Sequence, residues 1–350
     1  MSYYNRSFYE NIAMGGYSNI APWVKVGYNP TVTTTEESVW SYGGEYTFPT
    51  VADTMNLSSD NAAVGADTDI GVALHSGGAT DAGGSPTTIV VSTENFSTNT
   101  AIGDIIIIDK AGTTPEWGVI TEVTGNTTLT FAGGLSSGGT GASRATYHVL
   151  DVSAAIGAMA VIVEYLDSTY ARKYEIMILN ATLGNNTTSV GAMYRINGMM
   201  LIAVGTKTGG TPAAPTNACI GNLSLHNDAA ATPVYTYITA GYTRARNSSY
   251  TVPLGKTLYV NEVTVGWADD AETKILTARF IVESNQETTT NFINGLCFYG
   301  YGETLVTNGT VTLPRPIPQK FVQKADIKIC CQAYSGSGPA LSIMRGFLVT

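Results

Sequence analysis

Short runs of apolar and β-branched residues, separated by turn-forming residues, dominate the sequence from residue 50 onward. Thr87–Ser92 and Asp104–Asp109 have the composition of buried strands. Trp117–Val123 and Thr127–Phe131 flank Thr124-Gly125-Asn126, which has the chemistry of a hairpin turn. Helical periodicity is nearly absent, so the pattern predicts an all-β protein.

The second half of the chain continues the same pattern. Ala158–Leu166 and Tyr170–Leu179 predict a hairpin, and Asn197-Gly198 predicts a tight turn between two strands. Asn308-Gly309 predicts another such turn, whereas Pro314–Pro318 has too many prolines for a central strand and marks a sheet edge or a crossing between sheets. Further strands are predicted near 218–226, 233–240, 249–252, 257–267, 274–284, 293–300, 303–307, 310–313, 326–334 and 341–349.

Many short strands at close spacing favour an antiparallel β-sandwich, jelly-roll-like, with an inserted small β-barrel and an extended N-terminal arm. Five regions are predicted. They are an arm at 1–48, a first sandwich at 49–84 and 152–205, a barrel at 85–151, a linker at 206–217 and a C-terminal sandwich at 218–350.

The first 48 residues are rich in aromatic side chains without any regular period. Such side chains are buried against a surface, which is either the chain's own domain or a neighbouring subunit. If the partner is another subunit, the candidate assembly contacts are Trp23, Tyr28, Trp40, Tyr46 and Phe48.

Composition narrows the functional class. Charged residues make up only 13% of the 350 residues, the formal net charge is -9 and 38 residues are glycine. This composition excludes a coiled coil, and the acidic balance argues against nucleic acid as a partner. No apolar window of membrane-spanning length and no signal-peptide core occur in the sequence. We therefore expect no membrane partner, synthesis in the cytoplasm, and four cysteines that are buried reduced thiols.

No pattern of catalytic or metal-binding residues survives inspection. His75, His148 and His226 lie far apart, and none has a metal-ligand spacing. Asp67-x-Asp69 starts like a calcium loop but has Gly71 at the third ligand position, and Asp269-Asp270-x-Glu272 fits a solvated turn. The sequence therefore predicts a protein that is not an enzyme and that has no cofactor and no metal.

Several motifs nevertheless resemble those of a known family. They are Gly27-Tyr28-Asn29-Pro30-x-Val32, Val39-Trp40, Gly43-Gly44-x-Tyr46-x-Phe48-Pro49, Tyr250–Tyr259 and Leu313–Ile329. In these segments the chain resembles virion structural proteins of tailed phages, many of them from marine and environmental viruses. The resemblance covers about 27–75 and 190–350, and residues 80–151 depart from it. It implies a capsid or tail accessory role and no catalytic residues.

These observations rank three functions. The first is a capsid decoration (cement) or head-fibre protein on the capsid exterior, an oligomer, with a trimer favoured, that binds the major capsid protein or other virion proteins. The second is a tail-fibre or spike module that binds host-surface glycans through aromatic platforms such as Trp117 or Trp267. The third is a jelly-roll shell protein of the capsid.

Overall fold

The computed structural model describes most of the chain. The described residues are 19–60, 69–78, 81–85, 87–109, 115–132, 146–182, 185–208, 217–227, 232–267, 275–284, 304–307 and 309–350.

The described residues form antiparallel strands joined by turns. The first ten strands are β1 (Ile20–Val32), β2 (Glu37–Ser38), β3 (Met55–Ser59), β4 (Ala73–Gly77), β5 (Asp81–Ser85), β6 (Thr88–Val90), β7 (Ile105–Ile108), β8 (Glu116–Thr124), β9 (Thr128–Ala132) and β10 (Tyr147–Leu150). The others are β11 (Ala158–Leu166), β12 (Arg172–Ile178), β13 (Thr187–Thr188), β14 (Arg195–Val204), β15 (Leu223–Asn227), β16 (Val234–Ile238), β17 (Tyr250–Thr251), β18 (Thr257–Trp267), β19 (Ile275–Ser284), β20 (Thr304–Thr307), β21 (Gly309–Phe321), β22 (Asp326–Ala333) and β23 (Gly338–Val349). The helical segments among these residues are two 3-10 helices, Phe96–Thr98 and Val152–Ala154.

Strands from both ends of the chain build one sandwich, which we call the terminal sandwich. One sheet has the order β1-β23-β18-β21, and the other has the order β17-β22-β19-β20 with β2 also paired to β22. The chain crosses repeatedly between the two sheets, and among the described strands only the consecutive pairs β2–β17 and β19–β20 stay within one sheet. Val260 and Trp267 from the first sheet and Leu276 and Ile327 from the second share its buried core.

β2 and β17 pair with successive stretches of the same strand. Ser38 lies opposite Cys330, and Tyr250 lies opposite Ile327, so the two short strands together form one interrupted edge of the second sheet. Residues 39–249 are therefore an insertion into this edge.

The insertion contains a second sandwich, which we call the inserted sandwich. Its sheets have the orders β12-β11-β14 and β13-β3-β15-β16. Leu57 and Leu225 from one sheet pack against Val161 and Met199 from the other, and all four are nearly inaccessible to solvent.

Within the inserted sandwich a further seven-stranded sheet, the nested sheet, has the order β4-β10-β7-β8-β9-β6-β5. Its strand Ile105–Ile108 is buried on both faces, because Ile106 and Ile108 lie in the nested sheet's own core while Ile105 and Ile107 pack with Met159 and Ile176 of the inserted sandwich. A strand buried on both faces requires a continuous apolar run, which confirms this prediction.

The antiparallel all-β class is confirmed, but three predicted boundaries need correction. Residues 20–38 are not a free arm, because β1 and β2 are paired strands of the terminal sandwich. Residues 218–249 carry β15 and β16 of the inserted sandwich. The predicted linker at 206–217 therefore connects two strands of one sandwich, β14 and β15, and is not a boundary between two domains. The nested sheet begins at β4, before residue 85, and its end strands β4 and β5 are not paired to each other in the described pairings, so it is an open sheet there rather than a closed barrel.

The predicted turns had mixed outcomes. β11 and β12 form the expected hairpin. Asn197-Gly198 is not a turn, since both residues lie within the continuous strand β14 at a register shift against β11. β20 and β21 pair in different sheets, so they do not form a hairpin with each other, and Asn308 lies outside the described residues. The proline-rich segment is confirmed as an edge, because β21 ends its sheet.

Candidate functional site

A cleft of about 550 Å³ opens where the three units meet. Residues 21–26 of β1, the edge strand of the terminal sandwich, form one wall. Strands β11, β12 and β14 of the inserted sandwich and residues 244–245 form the opposite wall, and Trp117 of the nested sheet completes the lining. The lining includes Ala21 and Leu348, which come from opposite ends of the described chain.

Aromatic rings form the wall beside β1. The Trp23 and Tyr250 rings meet edge to face with centroids 5.0 Å apart. The Lys25 ammonium lies 5.9 Å from the centre of the Tyr250 ring and donates a hydrogen bond to the Asn197 carbonyl. Trp23 and Lys25 are two residues apart on a strand, so both side chains point to this one face.

Charged side chains form the opposite wall. Arg172 Nε donates to Glu164 Oε1 at 2.9 Å, and its guanidinium lies 5.1 Å from the centre of the Tyr174 ring. Burial lowers the pKa of Lys25 to about 8, with the Glu164 carboxylate opposing that shift. The exposed Arg244 forms no ion pair with any residue that the structure describes.

Apolar side chains stand exposed around the cleft. Trp117 is 38% exposed and Met200 is 44% exposed, and both line the cleft. Val119 lies on the same face of β8 as Trp117 and is 44% exposed. Large apolar side chains gathered at a concave surface mark an interaction site.

This arrangement is suited to binding. Concave shape, aromatic walls and a few charged groups are the usual features of a ligand pocket. Across the part of the chain that the structure describes, no group of three or more His, Cys, Asp or Glu side chains could hold a metal ion. Within the same part, no helix is long and apolar enough to cross a membrane.

The five predicted assembly contacts separate into two sets. Trp40, Tyr46 and Phe48 are buried inside the chain, where the Tyr46 ring contacts the other two at centroid distances of 5.1 and 5.0 Å. The prediction that these three contact another subunit is corrected, because their rings already fill the chain's own core. Trp23 lines the cleft, and Tyr28 stacks on the Arg246 guanidinium at 4.2 Å.

The two tryptophans predicted as glycan platforms lie in different environments. Trp117 is at the cleft, whereas Trp267 is 2% exposed and belongs to the core of the terminal sandwich. Trp267 is therefore corrected to a packing residue. Sequence reasoning missed Arg172 and Arg244, since the cleft draws them from separate strands and segments and no local pattern connects them.

The other polar residues that the sequence singled out have structural partners. Tyr147 Oη donates to Glu94 Oε1, and His75 Nδ1 lies 2.9 Å from Glu94 Oε2. Asp69 accepts backbone hydrogen bonds from Ala158 and Gly221. Asp67 and residues 269–272 lie outside the described residues. Cys219, Cys330 and Cys331 are free and buried, which confirms the expectation for these three, and Cys297 lies outside the described residues.

Segments 27–32 and 43–49, two of those on which the expected family resemblance rests, meet at one buried polar junction. Asn29 Nδ2 donates to Glu37 Oε2 at 3.1 Å, and Glu37 Oε2 also accepts from the Gly44 amide at 3.0 Å. Burial alone would raise the pKa of Glu37, but the hydrogen bonds from Thr33, Gly44 and Asn29 outweigh it and hold that pKa below its usual value.

The same junction includes a motif from near the end of the chain. Lys328 Nζ donates to the Tyr46 carbonyl at 3.1 Å and to Glu45 Oε1 at 3.2 Å. Gly27 lies so close to the segment after β2 that an added Cβ would be 2.3 Å from the Val39 carbonyl oxygen. These motif residues therefore hold β1, β2 and β22 together.

Comparison with known proteins adds little. No protein-family model matches the chain, and no curated protein matches it. A T=1 particle derived from infectious bursal virus aligns over 95% of this chain and 74% of its own, at 9% identity and a TM-score of 0.13. The infectious bursal disease virus Gt strain aligns over 96% and 76%, at 9% identity and a TM-score of 0.12. At these TM-scores neither likeness bears on fold or function.

Proposed function

We propose that the chain is a virion structural protein of a tailed phage, a capsid decoration or head-fibre protein that binds the capsid exterior. Its partners are the major capsid protein and further copies of itself, with a trimer as the proposed oligomer because closed symmetry suits attachment at three-fold positions. The proposal includes no catalytic activity and no cofactor.

One observation carries this proposal. Three of the segments that resemble virion structural proteins, 27–32, 43–49 and 313–329, meet in the fold. Asn29 and the Gly44 amide both donate to Glu37, and Lys328 donates to Glu45 and to the Tyr46 carbonyl. These segments are therefore features of the architecture and not of a reactive site. Antiparallel β-sandwiches serve many unrelated functions, virion proteins among them, so the fold agrees with the proposal without deciding it.

Quantitative mass spectrometry of purified particles tests the proposal. We expect the chain at a fixed ratio to the major capsid protein, and a symmetric oligomer of the isolated chain by light scattering. A chain absent from purified particles would overturn the proposal. A copy number equal to that of the shell lattice would instead favour a shell protein.

The cleft favours a second candidate, a receptor-binding module that recognises host-surface glycans. The observation behind it is Trp117, which is 38% exposed beside a concave wall that also carries Tyr174 and Arg172. Glycan binding by the purified chain that is lost in Trp117→Ala tests this candidate, and unchanged binding in that variant would contradict it.

A further inference from the structure

We infer that the cleft binds an acidic oligosaccharide, with one sugar ring on the Trp117 indole and a carboxylate facing Arg244 and Lys25. The inference rests on the second candidate function and deepens it by naming the ligand class and the residues that select it.

The charged side chains that line the cleft favour an anionic ligand. The cleft is lined by the cations Lys25, Arg172 and Arg244 and by the single carboxylate Glu164. Glu164 pairs with Arg172 at 2.9 Å and also attracts the Lys25 ammonium, so one carboxylate faces three cations, and Arg244 has no ion pair with any described residue. In a chain with a formal net charge of -9, a local excess of positive charge favours an anion.

The volume and the aromatic walls of the cleft favour a sugar as the ligand. The volume of about 550 Å³ lies within the range of small-ligand pockets. The rings of Trp23, Trp117 and Tyr174 on its walls are amphipathic, and flat apolar faces of this kind pack against the C–H face of a sugar. The Tyr174 hydroxyl on the same wall can donate and accept hydrogen bonds, as hydroxyl-rich ligands require.

A protein segment is the competing occupant, because tryptophan, tyrosine and arginine are also enriched at protein interfaces. Protein interfaces of ordinary size bury about 800 Å² on each partner, spread over a broad face. Here the aromatic and cationic groups instead converge inside one cleft, which favours a narrow ligand.

A glycan array probed with the purified full chain tests the inference. The array carries uronic-acid and sialic-acid oligosaccharides, each beside its carboxyl-reduced counterpart. We expect binding to at least one acidic oligosaccharide that is at least about tenfold tighter than to its reduced counterpart, since charge-assisted hydrogen bonds are about twice as strong as neutral ones.

Two cleft variants and two matched controls locate the site. Arg244→Gln and Trp117→Ala are each expected to weaken binding about tenfold or more. Lys320→Gln removes an exposed positive charge elsewhere, Tyr334→Ala removes a ring that is 82% exposed elsewhere, and both should bind like wild type. Thermal unfolding of all four variants checks that each is folded.

Three results would overturn the inference. They are the absence of binding to any acidic oligosaccharide, equal binding to reduced counterparts, or wild-type binding by both cleft variants. Loss of particle attachment in the cleft variants without any glycan binding would identify the cleft as a protein interface. If the chain is found in purified particles but binds no glycan, the proposed virion role stands and the glycan site is wrong. If the chain binds a glycan but is absent from particles, the glycan site stands and the virion role is wrong.

Discussion

Arg195 and Asp326 form a buried ion pair that joins the inserted sandwich to the terminal sandwich. Arg195 Nε lies 3.1 Å from Asp326 Oδ1, and Nη2 lies 3.0 Å from Oδ2. The two residues are 6% and 2% exposed, and the guanidinium lies 4.1 Å from the centre of the Tyr194 ring. Thr251 Oγ1 also donates to Asp326 Oδ1, so the carboxylate has several donors. The pair therefore fixes β14 against β22.

Removing one partner of this pair leaves a buried charge without compensation. We expect Asp326→Ala to lower the free energy of unfolding by roughly 3–5 kcal/mol. Urea denaturation followed by circular dichroism measures the change. The control is Arg345→Ala, because Arg345 pairs with Glu262 while 52% exposed, and we expect a loss of at most about 1 kcal/mol. Equal losses in the two variants would contradict a joining role for the buried pair.

The N-terminal boundary gives a second prediction. β1 pairs with β23 from Ile20 opposite Val349 to Val32 opposite Gly338, and Val32 and Val39 are fully buried. Deletion of residues 1–48 should therefore abolish cooperative unfolding, whereas deletion of 1–18 should preserve it. Thermal melts of both truncations check this expectation. A folded protein lacking 1–48 would show that β1 is dispensable, and the shorter deletion is the one suited to testing attachment to particles.

Asp69 gives a third prediction. Its carboxylate accepts from Ala158 N at 2.7 Å, Gly221 N at 2.6 Å and Ser59 Oγ at 3.0 Å. Asp69→Asn would replace one of the two acceptor oxygens by an NH₂ group, so the donors on that side would lose their acceptor and we expect a loss of about 1–3 kcal/mol in the free energy of unfolding. Asp60→Asn is the control, since Asp60 is exposed, and should cost less than about 1 kcal/mol. Similar values for both variants would contradict the importance of these buried hydrogen bonds.

Lys25 gives a prediction for pH dependence. Burial lowers the pKa of Lys25 in the folded chain to about 8, from 10.5. Between these values the unfolded chain binds more protons at Lys25 than the folded chain, so the stability of the folded state rises with pH. Wild type should therefore gain stability relative to Lys25→Met as pH increases from 8 towards 10.

Urea denaturation at several pH values measures this difference. The other ionisable side chains that line the cleft are present in both proteins, so the comparison isolates the contribution of Lys25. A gap between the two proteins that stays constant from pH 7 to 10 would contradict the lowered pKa.

Local patterns predicted the strands and the class of fold because a strand's side-chain alternation is set by its immediate surroundings. The hairpin of β11 and β12 and the doubly buried Ile105–Ile108 are examples. The tight turn predicted at Asn197-Gly198 was wrong because of a contact with a residue distant in sequence. The Asn197 side chain accepts from Thr251 N and donates to Thr251 O, both at 2.9 Å, which holds Asn197 in a strand beside a residue 54 positions away.

The predicted domain boundaries were also wrong because they depend on contacts between residues distant in sequence. The pairing of β1 with β23 joins the two ends of the described chain, and no local pattern shows such a partner. The sequence analysis singled out Trp23 and Trp117 but predicted no cleft, because its groups come from β1, β11, β12, β14 and residues 244–245, which only the folded topology brings together.

The position of the chain on the intact particle tests the central claim most directly. If the proposal is correct, cryo-electron microscopy of virus particles assembled with the chain should show density that fits the terminal and inserted sandwiches at regular, symmetry-related sites on the capsid exterior. Density confined to the tail, or none anywhere on the particle, would contradict the claim that this is a capsid decoration or head-fibre protein.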